Sequence, residues 1–465
     1  MEKILDAYIE QHFRSLAEDL QVFLKIRSVL EEEKVSAEFP FGPEIDEALR
    51  YVLNKGQNFG LKSKYLDGFA GYVEAGQGSE MVGVFCHVDV VPEGSGWTVD
   101  PYGGEIVEGK LYGRGSVDNK GPILAVLYAL KAIRDTGLPT SKRVRLILGT
   151  DEETAGRCIK HYLAKEEPPV YGFSPDAEFP IIYAEKGILR FEMSKPFSRS
   201  EEHTNSLLML QGGTKVNVVP DYAEAKICGL SPKYLLIKLR ELGLTEKIKL
   251  DVDGDAVVIK ATGISSHASY PGDGENAIQL LFHFLEHVEF GSPAQKQFLA
   301  HLNNQLKMET DGRTLGLSCN DEVSGALTLN LGVAEFTPEQ GHLVFDIRYP
   351  VTLDGEEIIE KLKEIAQEWG ADFSLKQHKL PLYVEPDREF IKTIQRVYQE
   401  VTGDTPRLIS IGGGTYCRYV ENTVSFGPVF PGQKELAHQK DEHLRLDDLK
   451  KLAKIYAQTI YELIT

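Results

Sequence analysis

Met81-Val-Gly-Val-Phe-Cys-His87-Val-Asp89 is the stretch on which the reading of the fold turns. Its opening run, Met81–Phe85, is short and apolar, which reads as a buried strand central in a parallel sheet. His87 and Asp89 lie two residues apart on that strand and so point the same way. They would sit together at the strand's carboxyl end, where open α/β sheets place their sites. One imidazole for a metal, with a carboxylate behind it to fix the tautomer, is a common metal-site arrangement. Alone, such a pair is more often a satisfied polar contact, so the rest of the chain has to supply further ligands.

It supplies them in order. After a hairpin expected over Gly104–Gly113, with Glu-Gly at its turn, comes Gly113-Arg-Gly-Ser-Val-Asp118-Asn-Lys-Gly-Pro122. A helix is predicted over Ile123–Arg134, then an apolar strand Val144–Leu148 ending in Thr150-Asp151-Glu152-Glu153-Thr154. Strand, crossover helix and strand make a right-handed βαβ unit with parallel strands. Glu152 and Glu153 therefore reach the same sheet edge as His87. Phe173-Ser-Pro-Asp176 and Ala437-His438-Gln-Lys-Asp441 complete the set, with no cysteine among the candidates. Nitrogen plus oxygen donors suit zinc, manganese or cobalt and argue against iron–sulfur or a structural zinc finger. More carboxylates than one metal needs points to two metals sharing a carboxylate and lowering the pKa of a bound water. Consecutive glutamates diverge, so one can bind metal while its neighbour acts as general base. Each acidic residue by itself is ordinarily a solvated loop carboxylate; five of them at strand ends and tight turns are not.

These motifs resemble the dinuclear-zinc peptidases, a family that includes carboxypeptidase G, aminoacylase and succinyl-diaminopimelate desuccinylase, and within it most closely the PepV-type dipeptidases. The resemblance runs from His87-Val-Asp89 to His438. It implies one metal on His87, Asp118 and Asp176 and a second on Asp118, Glu153 and His438, with Asp118 bridging. Glu152 matches the catalytic base and Asp89 the partner of His87. Asn119 stands where many members carry a second aspartate, a tolerated change because the bridging ligand is the first of the pair. Ser265-Ser-His267-Ala-Ser-Tyr-Pro-Gly matches the segment whose histidine stabilises the tetrahedral oxyanion. Lys215-Val-Asn217-Val-Val-Pro-Asp221 and Phe345-Asp-Ile-Arg348-Tyr-Pro match substrate-contacting positions, with Arg348 suited to a bidentate clamp on a free carboxylate. Ile411-Gly-Gly-Gly414-Thr-Tyr-Cys-Arg418 looks like the family's glycine-rich turn, where Gly413 and Gly414 would let backbone approach substrate.

The fold expected is an α/β catalytic domain, its mostly parallel sheet flanked by helices, with an inserted α+β lid. All metal candidates fall before about residue 186 or after about 380, which divides the chain into 1–186 and 381–465 (catalytic) and 187–380 (lid). The insertion mixes strands (Ile188–Met193, Lys215–Val219, Ala223–Cys228, Ala256–Ala261) with helices (Pro232–Leu242, Ala277–His287, Gly355–Trp369). A strand pair ending in Asp221–Cys228 and helix Pro232–Leu242 are echoed by a strand pair ending in His342–Tyr349 and helix Gly355–Trp369. In the resemblance, such a lid has two related halves, which implies a working monomer.

A length of 465 residues allows two or three domains, and a net charge of −19 makes nucleic acid or an anionic membrane an improbable partner. Five scattered cysteines, an odd number, read as free thiols in a reducing cytosol. No signal-peptide pattern or transmembrane-length run is found, so a cytoplasmic location is expected. His283-Phe-Leu-Glu286-His287 matches the H-x-x-E-H pattern of another zinc-peptidase class, but its helix also carries an ordinary core stripe of Ile278, Leu281, Phe282, Leu285 and Val288. The activity expected is hydrolysis of dipeptides by a water bridging two divalent metals, zinc first, with Glu152 as base. The alternatives are an N-acyl amino acid deacylase or carboxypeptidase using the same cluster, and a binding protein that kept the fold without the chemistry.

Overall fold

The computed structural model describes residues 2–197, 205–289 and 293–465. The chain forms two compact units. One comprises Met1–Tyr183, Tyr383–Ile409 and Gly414–Thr465; the other comprises Ala184–Leu382 and Ser410–Gly413.

The first unit is built on a sheet whose order runs Lys62–Leu66, Ala70–Gly76, Arg143–Gly149, Met81–His87, Tyr171–Ser174 and Thr423–Ser425. The last four strands of this order are parallel, and the two at the first edge pair antiparallel. Every residue of Met81–His87 is buried. That is the physical content of its apolar run, since each fully buried Val or Phe stabilises the fold by about 1.5–3 kcal/mol. Phe85 joins Ile147, Ile159 and Tyr162 in a cluster on one face. The other face is covered by Lys120–Thr136, which packs in turn on Glu2–Leu24 and Leu446–Ile464. Lys120–Thr136 is buried through most of its length, which is why its apolar residues show no single stripe. The expected hairpin forms from Ile106–Val107 and Lys110–Tyr112. Glu108 (φ 51°) and Gly109 (φ 73°) at its turn are both left-handed, as a tight two-residue hairpin requires.

The second unit is one eight-stranded antiparallel sheet. Its order is Ile248–Asp253, Ala256–Thr262, Tyr222–Cys228, Ser206–Gly212, Thr328–Phe336, Gln340–Tyr349, Gly187–Pro196 and Asp372–Lys379. The helices Pro232–Glu241, Ala277–Glu286, Pro293–Leu306 and Gly355–Trp369 bury their apolar stripes in its core. One strand expected from sequence is absent: Lys215–Val219 is a turn, and the strand lies earlier, at Ser206–Gly212. The chain leaves the sheet at Gly213, which has φ +73° and would place a Cβ 1.9 Å from the Gly332 carbonyl oxygen. Beyond it, Asn330 Nδ2 donates to the carbonyls of Val216 (2.9 Å) and Val218 (3.0 Å), satisfying backbone that a neighbouring strand would otherwise pair.

No helix among the described residues is long and apolar enough to cross a membrane, and no disulfide joins the cysteines.

Candidate metal centre

Parallel pairing aligns His87 with Gly149, so the turn after Gly149 leaves the sheet beside His87. In that turn Asp151 is committed to structure. Its carboxylate accepts the backbone N–H of Arg157 at 2.8 Å and two guanidinium donors at 2.8 and 2.9 Å. Glu152 and Glu153 are left for the site. Asp176 follows the strand Tyr171–Ser174 by two residues, and Asp118 ends the Gly113–Asp118 loop just before Lys120–Thr136. His438 arrives on a loop with φ 63°, a left-handed conformation uncommon outside glycine.

Two trios result, each with ligand atoms within 4.8 Å of one another: His87, Asp118 and Asp176, and Asp118, Glu153 and His438. Asp118 belongs to both. Its Oδ1 lies 2.9 Å from His87 Nε2 and its Oδ2 lies 3.1 Å from His438 Nε2. His87 Nε2 is also 3.3 Å from Asp176, and His438 Nε2 is 3.1 Å from Glu153. Donors of this kind fit divalent zinc, manganese or cobalt. The fit extends to the tautomer. His87 Nδ1 bonds the Asp89 backbone carbonyl at 2.9 Å, which leaves Nε2 to face the cluster.

Asp89 departs in detail from the sequence expectation. Its carboxylate is 3.6 Å from His87 Nδ1, and its Oδ2 accepts the backbone N–H of Glu153 at 3.1 Å. One residue thus touches His87 through its carbonyl and Glu153 through its side chain. Asp89→Asn is expected to lower metal affinity or turnover by about 10–100-fold, as changes behind a ligand do. Titration of metal-stripped protein reads it, and an unchanged enzyme would place Asp89 outside the metal shell.

The charges press on each other. Burial, then the charge of Asp176, pushes Glu152 well above the usual carboxyl range. Burial and Asp118 raise Glu153 to about 7 against the hydrogen bond from His438. Burial opposes charge on His438, yet hydrogen bonds to Asp118 and Glu153 outweigh it and lift the imidazole to about 11. Burial works against Asp118 as well, but His438 and His87 hold its carboxyl far below the ordinary value. Such a crowd of carboxylates calls for cations. Glu152 alone of these carboxylates has no hydrogen-bond or ion-pair partner among the described residues.

The remaining candidates lie in the second unit, except Gly414. His267 Nδ1 accepts the backbone N–H of Ser269 at 3.2 Å, which places the ring proton on Nε2. Burial and then the charge of Arg348 keep this imidazole below its ordinary pKa, hence neutral. The carbonyl of Asn217 accepts from Ala268 N at 2.9 Å, which sets its turn against the His267 segment. Arg348 is buried, and three of its five N–H groups are committed. Nε and one Nη donate to Asp346 at 2.5 and 3.1 Å, and the other Nη donates to the Gly412 carbonyl at 2.6 Å. Asp346 therefore occupies the side-on bidentate face formed by Nε and one Nη. None of Gly412–Gly414 is left-handed. At Gly414 a Cβ would lie 2.2 Å from the Arg418 guanidinium, the movable end of a long side chain, whereas Gly413 is open.

His283, Glu286 and His287 also group within 4.8 Å, but Glu286 already accepts from Asn303 and Asn304. Sequence reading passed over Asn119 as a tolerated change and missed one further polar residue. Asn119 Nδ2 donates to Asp176 Oδ1 at 2.9 Å and to the Pro175 carbonyl at 2.7 Å, orienting a ligand. The residue missed is Glu442, which carries no periodic or motif signal by itself.

An α/β sheet with an imidazole–carboxylate cluster at the carboxyl ends of its parallel strands has the donor arrangement of a metal-centred hydrolase. Sequence comparison narrows this: the chain matches peptidase family M20/M25/M40 over residues 83–462 and belongs to that family. It is 42% identical over 454 residues to "Putative dipeptidase YtjP" of Bacillus subtilis (strain 168), covering 96% of this chain and 97% of that one. Its fold is similar to human carnosine dipeptidase 1 (TM-score 0.61, 16% identity, 100% and 98% of the two chains). The same holds for the di-peptidase Dug1p of Saccharomyces cerevisiae (TM-score 0.59, 13% identity, 99% and 98%). At these identities the structural likeness shows the fold alone.

Proposed function

We propose that this chain is a broad-specificity dipeptidase with a two-metal site. The observation that carries the chemistry is the division of Asp118, one carboxylate oxygen toward each histidine, beside an uncommitted Glu152. The dipeptidase relatives support the substrate class. His87, Asp118 and Asp176 would hold one divalent ion and Asp118, Glu153 and His438 the other, zinc first, with manganese or cobalt as alternatives. Bound there, such ions supply Lewis acidity to a water and to the scissile carbonyl. Glu152 takes the proton of the attacking water and returns it to the leaving amine. His267, neutral with its proton on Nε2, donates to the carbonyl oxygen as charge develops. Asn217 and the backbone at Gly413 and Gly414 are assigned to the substrate. Arg348 is assigned an indirect part, fixing the Gly412 carbonyl.

We read the second unit as two related halves meeting between Ser206–Gly212 and Thr328–Phe336. Outward from that antiparallel pair, Tyr222–Cys228 corresponds to Gln340–Tyr349, Ala256–Thr262 to Gly187–Pro196, and Ile248–Asp253 to Asp372–Lys379. Helices Pro232–Glu241 and Gly355–Trp369 occupy equivalent connections. A doubled unit of this kind supports a working monomer acting on small peptides, and the five free cysteines support a reducing cytosol.

The test is amino-acid release from a dipeptide panel with one tripeptide and one N-acetyl amino acid, on metal-stripped protein with and without zinc, manganese or cobalt. Chelation is expected to abolish turnover, and added metal to restore cleavage confined to dipeptides. Cleavage of only the acylated compound would keep the chemistry and overturn the substrate. No cleavage, in folded protein that binds metal, would favour a binding protein.

A further inference from the structure

Glu442 is wholly buried, four residues beyond His438, on a loop with no apolar reason to place an acid inside. Every partner of its carboxylate is a donor. One oxygen accepts the backbone N–H of Gly115 (3.1 Å), Val117 (2.8 Å) and Asp118 (3.2 Å); the other accepts Gly115 N–H at 3.2 Å and Arg114 Nη at 2.6 Å. Its own carbonyl accepts Gly113 N–H at 3.0 Å. The Arg114 guanidinium also points at the carbonyls of Pro92 and Glu93, both at 3.4 Å, on the segment that follows Asp89. The acid and its arginine therefore meet three stretches of chain, and each stretch carries members of the cluster: His87 and Asp89, Asp118, and His438.

We infer that Glu442 is a positioning residue that grips the Gly113–Asp118 loop by its backbone N–H groups and so fixes the shared ligand Asp118 against His438. This rests on the metal-centre reading above. A buried carboxylate facing three N–H groups and a guanidinium can only accept, and an amide in its place turns an NH2 group toward donors. The loop would then relax, and with it the one carboxylate common to both trios. A merely structural ion pair with Arg114 would predict a fall in stability with the ligands unmoved.

The experiment titrates full-length, metal-stripped protein with Co2+, reading the visible d–d absorption and the affinity against a competing chelator. Dipeptide kcat and KM follow. Glu442→Gln is expected to bind Co2+ about 10–100-fold more weakly, with an altered absorption envelope and a lower kcat at little-changed KM. Glu442→Asp, which keeps the charge but is one methylene too short to span all three N–H groups, is expected between Glu442→Gln and wild type. A folded Glu442→Gln with wild-type affinity and spectrum would overturn the inference even if it melts earlier. Should that variant not fold, Glu442→Asp decides alone: weakened Co2+ binding with an altered spectrum supports the inference, and wild-type behaviour overturns it. A wild-type chain that binds no Co2+ would overturn the metal-centre reading and this inference together, a failure distinct from the others.

Discussion

Glu152→Gln is expected to keep its metal and its stability while losing turnover by about 10²–10⁴-fold, the range general-base catalysis supplies. The variant is nearly isosteric, and no hydrogen bond or ion pair of Glu152 is there to be broken among the described residues. In the metal-stripped chain, burial, Asp176 and Glu153 disfavour the Glu152 charge, so removing it there costs the fold nothing. Thermal unfolding should therefore be unchanged or slightly later. The ligands His87, Asp118, Glu153, Asp176 and His438 are untouched, so metal analysis should match wild type. A loss confined to kcat would place Glu152 in the proton transfers. Full activity would remove it as base, and loss of metal would make it a ligand.

The sequence was most legible where local pattern and function coincide. His87 follows a run buried at every position, and the parallel βαβ unit carries Glu152 and Glu153 to the same edge by geometry alone. Two helices were equally plain, Gly355–Trp369 and Leu446–Ile464, whereas the one expected over Ile123–Arg134 runs Lys120–Thr136. Lys215–Val219 was misread because its valines favour a strand, whereas its pairing was decided by Gly213 and by Asn330, more than one hundred residues away. Separation also hides Glu442, 327 residues from Gly115, and the part played by Asn119, 57 residues from Asp176, since no local window contains their partners. Arg348 shows the converse. Its chemistry suits a clamp, but Asp346 two residues before it takes the fork. Residue type tells what a group can do, and only packing tells which partner reaches it first.

Asp118 supplies the sharpest test of two sites rather than one. It stands in both trios, whereas Asp176 stands only in the first and Glu153 only in the second. Asp118→Ala is therefore expected to strip both metals and to cost more activity than the roughly 10–100-fold typical of a residue that only supports a ligand. Asp176→Ala and Glu153→Ala should each retain about half the wild-type metal, as expected if each removes one ligand from one three-ligand site. Metal per chain by elemental analysis, after dialysis at a fixed free zinc concentration, separates the cases. Equal losses in all three variants would mean a single site in which the carboxylates cooperate. An Asp118→Ala chain that keeps one full equivalent would mean that His87 or His438 finds its metal without the shared carboxylate. The 2.9 and 3.1 Å approaches of its two oxygens to opposite imidazoles argue against that.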